Sequence, residues 1–175
     1  REGELLGVLT CDHGPLEVVF GGPHQSMPSI EAMRIGDSIY PVFVNTGTLY
    51  IIAGMKVGSL VSPDDYMRQR FGIVRPTAKM WDQMFLEHKQ ATPSVGHRIP
   101  FTCADLSAVG VEGSEIRFDR ILPPEQLSSI TLGPKAGSEK PLKGVVDTHL
   151  KNNFSLQGHV RRLSPRSSDL IAGLF

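Results

Sequence analysis

The stretch MRIGDSIYPVFVNTGTLYIIAGMKVGSLV, residues 33–61, carries the clearest structural signal in the chain. Ile39 to Val44 and Leu49 to Val57 are two runs rich in β-branched and aromatic residues, which favour strands. Asn45-Thr46-Gly47 between them predicts a tight turn, because glycine accepts the positive φ angles of short hairpins. Pro41 predicts an edge or a bulge, since proline has no amide to donate to a neighbouring strand. The stretch therefore predicts an antiparallel hairpin.

Helix signals follow this hairpin directly and recur later in the chain. Ser62 is a natural N-cap, proline fits the next position, two aspartates suit the first turn, and Gly72 can end the helix. Residues 77–89 place apolar side chains on one helical stripe. Residues 123–130 predict a short helix that begins with proline, and residues 164–175 predict a closing helix with a second Ser-Pro start.

Further strand-like runs lie on both sides of these helices. Residues 3–20 read as two strands around a turn at residues 12–15, and residues 115–122 and 154–163 each read as one strand. Strand pairs cluster and do not alternate with helices, which argues against a parallel doubly wound sheet. The sequence predicts an α+β fold, a small, mostly antiparallel β-barrel or curved sheet with three or four peripheral short helices. It predicts one domain over residues 1–175 that ends in a strand and helix extension.

Two segments resemble a known group of folds. RIGDSIYPVFVNTGTLYIIAGMKV, residues 34–57, is similar to the core of the PUA-like superfold, the small barrels that include the PUA, ASCH and EVE domains. EIRFDRILPPEQL, residues 115–127, is similar to the end of EVE-type domains, whereas no GxKxxExR run of the ASCH type is present. Families of this kind often bind RNA or modified nucleobases. The resemblance implies a non-catalytic binding module for nucleic acid, a nucleotide or a modified base.

Charge is balanced over the whole chain, with 18 basic and 18 acidic side chains, but it is unevenly spread. Residues 1–37 carry a net −4, and residues 151–175 carry a net +3. No overall field draws the protein to nucleic acid or to a membrane, and no apolar run is long enough to span a membrane. Cys11 and Cys103 lie far apart and imply no disulfide framework, so the sequence predicts a cytoplasmic protein with no membrane partner.

Cations crowd into SLQGHVRRLSPRSSDL, residues 155–170. If residues 154–163 form a strand, alternation places a polar row on one face, beside the exposed amides at the start of the closing helix. The planar guanidinium of arginine suits phosphate. We predict an anion site made by Gln157, His159, Arg161, Arg162 and Ser164. The alternative is a solvated strand face whose arginines pair with the acidic N-terminal segment.

Three aromatic residues are candidates for stacking on a base. Tyr40 and Tyr50 lie on the central hairpin, where an aromatic ring can form the floor of a pocket. Trp81 lies on the stripe of the second predicted helix. The alternative for all three residues is a place in the core, because barrels of this size are filled by side chains and a sole tryptophan on a helical stripe usually packs inward.

Other motifs give little support for catalysis, a metal or a cofactor. Cys11-Asp12-His13 lacks further ligands at zinc spacing. His97, Cys103 and Asp105 lack a nucleophile signature, and neither a phosphate loop nor a dinucleotide motif occurs. The first hypothesis is a binding module for RNA, DNA or a nucleotide, without catalytic residues, metal or cofactor. The second is a structural or protein-interaction domain. The third is a hydrolase that uses Cys103 or a pair of carboxylates brought together from distant positions, and the oligomeric state stays open.

Overall fold

The computed structural model describes residues 14–22, 30–83, 104–151, 156 and 161–175. The strands within these ranges are, in chain order, β1 (Val18–Gly21), β2 (Ser38–Ile39), β3 (Val42–Asn45), β4 (Thr48–Ile51), β5 (Met55–Val61), β6 (Leu106–Gly110), β7 (Thr131–Gly133), β8 (Lys140–Pro141), β9 (Val145–Val146), β10 (His149–Leu150) and β11 (Arg162–Leu163). The helices are α1 (Pro63–Phe71), α2, which includes residues 78–83, a 3₁₀ helix (Pro124–Ser129) and α3 (Pro165–Ala172).

Every pair of these strands is antiparallel. One sheet curls into a half-barrel, so the prediction of an α+β fold with mostly antiparallel sheets and few short helices is confirmed. The chain divides into two compact units. Unit 1 consists of Arg1–Ile39 and Met55–Ile116, and unit 2 consists of Tyr40–Gly54 and Arg117–Phe175. The prediction of a single domain stays a prediction.

Unit 1 is built on a four-stranded sheet in the order β1-β6-β5-β2. The ring of Phe20 on β1 is fully buried and meets Tyr66 and Trp81 edge-on, with ring centroids 5.3 and 4.8 Å away. Edge-on contact suits aromatic rings, because the positive edge of one ring meets the negative face of the other. At the surface, Arg70 of α1 forms a two-pronged ion pair with Glu17.

Both predicted Ser-Pro helix starts are confirmed. The Ser62 hydroxyl accepts a hydrogen bond from the amide of Asp65, and Gly72 ends α1 in the left-handed conformation with φ 69°. Ser164 caps α3 in the same way. These signals are local, since each cap satisfies an amide of its own first turn, and this is why the sequence shows them clearly.

Unit 2 is held together by an aliphatic core. Its strands form the β3–β4 hairpin, a three-stranded sheet in the order β11-β7-β8, and the β9–β10 ribbon. The segment 117–122 runs beside β4, where the amide of Ile51 donates to the carbonyl of Arg120 and the amide of Leu122 donates to the carbonyl of Leu49. The buried members of this core are Leu49, Ile51, Leu122, Leu127, Ile130, Leu142, Leu150 and Ile171.

The long hairpin forms, but the prediction of two continuous strands is wrong. The first strand is interrupted at Tyr40–Pro41 and the second at residues 52–54, which leaves β2 paired with β5 and β3 paired with β4. Pro41 has no amide to donate to the ladder, and the carbonyl of Pro41 accepts one bond from the amide of Ile52. The chain passes from one unit to the other at these interruptions.

The prediction of a strand at residues 115–122 is also wrong. Glu115 and Ile121 make isolated bridges, and the residues between them are irregular. Arg117 donates its amide to the carbonyl of Ile52, so this segment follows β4 without a regular ladder. The segment also passes from unit 1 to unit 2 after Ile116.

The turn at Thr46-Gly47 gives a test of the hairpin. Both residues have positive φ, 49° and 80°, and a Cβ on Gly47 would lie 3.0 Å from the carbonyl oxygen of Leu150. Gly47→Ala is expected to lower the free energy of unfolding by about 1–3 kcal/mol, because alanine tolerates neither the angle nor the contact. Thr46→Asn is expected to raise it by a few tenths of a kcal/mol or more, since asparagine accepts positive φ more readily. Urea unfolding followed by circular dichroism measures both, and a Gly47→Ala protein as stable as wild type would contradict this account of the turn.

Candidate functional site

The predicted anion site lies only partly within the described residues. Gln157 and His159 fall outside them, so the predicted polar row stays a prediction. Arg161 lies before β11 and is half-buried, and its Nε has no hydrogen-bond partner. Arg162 lies on β11 and is exposed. Within the predicted strand at residues 154–163, the structure describes residues 156 and 161–163, of which Arg162–Leu163 are strand and Leu156 lies in a turn.

Ser164 serves the fold through a small network of hydroxyl groups. Its Oγ accepts hydrogen bonds from the amide of Ser167 at 3.3 Å and from the hydroxyl of Thr131 at 2.6 Å. It donates in turn to the Oγ of Ser167 at 3.0 Å, and the amide of Thr131 donates to that same Oγ at 2.9 Å. Ser167 is only 1% exposed. The network ties α3 to β7, so the Ser164 hydroxyl is engaged within the protein.

Tyr50 belongs to an aromatic cluster on the β3–β4 hairpin. Phe43 lies directly opposite it in the register, and the two rings stack with centroids 4.5 Å apart and planes inclined by 14°. Phe118 lies beside Phe43, with ring centroids 6.3 Å apart. All three residues are half-buried. We call Phe43, Tyr50 and Phe118 the aromatic triad.

The two stacked rings of the triad lie on the face of the hairpin that points away from the core of unit 2. Successive side chains of a strand point to opposite faces. Leu49 and Ile51 of β4 belong to the core, and their cross-strand partners Val44 and Val42 pack against it. Tyr50 lies between these two core residues of β4 and therefore occupies the opposite face, together with Phe43.

Tyr40 belongs to a second group of π systems. Its ring stacks on that of Phe175, with centroids 6.0 Å apart and planes inclined by 25°. The guanidinium of Arg120 lies over the same Phe175 ring, with Cζ 4.1 Å from the centroid. Gly54 adjoins both rings. We call the space that the Phe175 ring occupies, bounded by Tyr40, Gly54 and Arg120, the aromatic slot.

The ring of Trp81 does not belong to either group. It is 0% exposed in unit 1 and lies against Phe20. A ring with no exposed surface has no free face for a base, so the alternative of a core tryptophan is the one that the structure supports. Trp81 is therefore a packing residue, whereas Tyr40 and Tyr50 are half-buried in unit 2.

Charge separates between the two units. Unit 2 carries nine basic and five acidic side chains, a net +4, so unit 1 carries −4 in this neutral chain. Arg162 and Arg166 are exposed and, within the described part of the chain, have no ion-pair partner. Arg117 differs, because it forms a two-pronged ion pair with Asp119. The hydrogen bond from Arg117 lowers the pKa of the Asp119 carboxyl, although both side chains are exposed.

The described residues offer neither a metal centre nor a membrane span. No group of three or more His, Cys, Asp or Glu side chains within them is arranged to hold a metal ion. The helices of the described ranges are too short or too polar to cross a bilayer. Cys11-Asp12-His13, His97 and Cys103 lie outside these ranges, and Asp105 is exposed.

Comparisons of the chain with protein-family models, with curated proteins and with solved structures gave no match. The resemblance of residues 34–57 and 115–127 to the PUA-like superfold therefore stays a prediction. The features considered below for function are the aromatic triad, the aromatic slot and the exposed Arg162 and Arg166, all of which belong to unit 2.

The cap at Ser164 can be tested by two substitutions at the same position. Ser164→Ala is expected to lower the free energy of unfolding by about 0.5–2 kcal/mol, because it removes the acceptor for the Ser167 amide. Ser164→Asp retains a capping oxygen and is expected to lose less stability than alanine does. Urea unfolding measures both, and equal losses in the two variants would show that the hydroxyl does not act through the helix cap.

Proposed function

We propose that unit 2 is a non-catalytic module that binds single-stranded nucleic acid, with Phe43 and Tyr50 as its stacking surface. The observation that carries this proposal is the stacked pair of rings on the face of the hairpin away from the core, in a unit of net charge +4. Single-strand binding proteins combine these two elements, aromatic rings that stack on bases and cations that follow the backbone. The resemblance to PUA-like domains favours the same class of ligand.

The geometry of the ring pair supports stacking on a base. Phe43 and Tyr50 hold each other parallel at 4.5 Å, so their orientation is set before a ligand arrives. The core packing of Val42, Val44, Leu49 and Ile51 fixes the strands beneath them. A ring that is already ordered loses little conformational freedom when a base stacks on it. Stacking of this kind contributes about 1–3 kcal/mol per base and tolerates every base.

Exposed arginines of unit 2 supply the electrostatic part of the proposal. Arg162 on β11 and Arg166 in the first turn of α3 are exposed, and each offers a planar fork that matches phosphate oxygens. Binding to phosphates releases counterions from the nucleic acid, so the affinity falls steeply as salt is added. Ser164, between the two arginines, holds the start of α3 in place through its cap.

A structural or protein-interaction role is the second candidate, and exposed aliphatic side chains of unit 1 favour it. Ile35 and Val111 are 69% and 67% exposed. Their turns flank β5 on opposite edges, because the amide of Gly36 donates to the carbonyl of Val57 and the amide of Val111 donates to the carbonyl of Lys56. A contact surface for another protein would need further apolar side chains beside these two, because exposed apolar residues mark such a surface when they form a contiguous patch. This role predicts no affinity for nucleic acid at physiological salt.

Substitutions of Tyr50 test the stacking surface. Tyr50→Ala is expected to weaken binding to a single-stranded RNA about ten nucleotides long on the order of tenfold, the loss of one stacked base. Tyr50→Phe keeps the ring and is the matched control, with affinity close to wild type. Fluorescence anisotropy of a labelled RNA measures both. A wild-type protein without affinity at low salt would overturn the proposed function, and equal affinities of Tyr50→Ala and Tyr50→Phe would remove Tyr50 from the site.

Substitutions of exposed arginines test the electrostatic part. Arg162→Gln is expected to weaken binding and to reduce the slope of log affinity against log salt by about 0.7, the effect of one phosphate contact with a single strand. Arg75 is also exposed but belongs to unit 1, so Arg75→Gln is the control and is expected to leave the slope unchanged. The same salt titration applied to both variants compares them directly. If Arg162→Gln and Arg75→Gln change the slope by similar amounts, the phosphate contacts are not confined to unit 2 and this part of the proposal is wrong.

A further inference from the structure

The aromatic slot holds a side chain that is poorly buried for a ring with two π partners. Phe175 contacts Tyr40 and Arg120, yet it remains 46% exposed. A fully buried phenylalanine contributes a large hydrophobic free energy, whereas a half-exposed one contributes only part of it. The Phe175 ring can therefore leave the slot at a modest cost in stability.

Arg120 is fixed for stacking before any ligand arrives. Its Nη1 donates to the carbonyls of Ile51 and Ile52, at 3.3 and 3.1 Å. Burial lowers the pKa of this guanidinium, although an arginine stays charged at any physiological pH. A partly desolvated guanidinium interacts more strongly with a π face than an exposed one does. The planar group is thus held where a flat ring can lie against it.

Gly54 keeps the other side of the slot open. A Cβ at this position would lie 3.0 Å from Tyr40 Cε1 and 3.3 Å from Phe175 Cε2, which is tighter than ordinary van der Waals contact. The backbone of Gly54 therefore lets both rings approach closely. Tyr40, Arg120 and Gly54 together leave a space that suits one planar ring.

We infer that the aromatic slot is a second base-binding position of unit 2, which Phe175 occupies in the absence of nucleic acid. The inference rests on the proposed function. A nucleobase is a planar π system, as the Phe175 ring is, and proteins stack bases on tyrosine rings and on arginine guanidinium planes. A base that enters the slot displaces Phe175, so this side chain competes with the ligand and lowers the affinity of the free protein.

Removal of the Phe175 ring tests this competition. Phe175→Ala is expected to raise the affinity for the same labelled RNA several-fold, up to the order of tenfold, because a base gains the slot without displacing a side chain. Phe71, 40% exposed in unit 1, is the matched control, and Phe71→Ala is expected to leave the affinity unchanged. A second variant, Arg120→Lys combined with Phe175→Ala, keeps the charge but removes the plane. The double variant is expected to lose the gain in affinity that Phe175→Ala alone shows over wild type.

The outcomes separate this inference from the proposed function. If neither wild type nor Phe175→Ala binds the RNA, the proposed function is wrong and the inference falls with it. If wild type binds and Phe175→Ala binds equally or more weakly, Phe175 does not compete and the inference alone is overturned. A gain that survives Arg120→Lys would also overturn it, because the guanidinium plane would then have no part in the slot. Circular dichroism confirms in each case that the variant is folded.

Discussion

The paired interruption of the long hairpin is the constraint on which the rest of the structure depends. Pro41 cannot donate to a ladder, and its carbonyl instead accepts the amide of Ile52. The strands on one side of this point belong to unit 1, and the strands on the other side belong to unit 2. Without the break, the two long strands would form one regular hairpin, in which side chains alternate between the same two faces from end to end. The break lets β3 and β4 bury Leu49 and Ile51 in a separate core and turn their aromatic residues away from it.

Features that depend on residues close together in the sequence could be predicted, whereas features that depend on distant residues could not. The caps at Ser62 and Ser164 and the turn at Thr46-Gly47 depend on neighbours within a few residues, so they were predictable. The opposition of Phe43 to Tyr50 also follows from a two-residue turn, since such a turn fixes the register of the strands that it joins. The aromatic slot depends on Arg120 and Phe175, which are brought to Tyr40 by tertiary packing. No spacing of residues along the sequence predicts that Arg120 and Phe175 meet beside Tyr40.

The chain as a whole is neutral, but its two units carry net charges of opposite sign. Unit 1 carries −4 and unit 2 carries +4, so a whole-chain total argues against a polyanionic ligand while one half of the molecule is basic. Electrostatic attraction acts within about a Debye length, near 8–10 Å at physiological salt, so the local charge around a site matters more than the sum over the chain. The cations near residues 151–175 are the sequence feature that pointed to this half of the protein.

The interleaved path of the chain sets a limit on how the protein can be dissected. Each unit is made from two separate stretches, and the polypeptide crosses between them after Ile39, Gly54 and Ile116. A fragment that starts at Arg117 would lack the β3–β4 hairpin, and with it Leu49 and Ile51 from the core that it needs. Truncation from either end therefore yields incomplete halves. An isolated basic half requires the Tyr40–Gly54 stretch to be joined to the rest by a designed linker, with the order of the segments rearranged if the linker demands it.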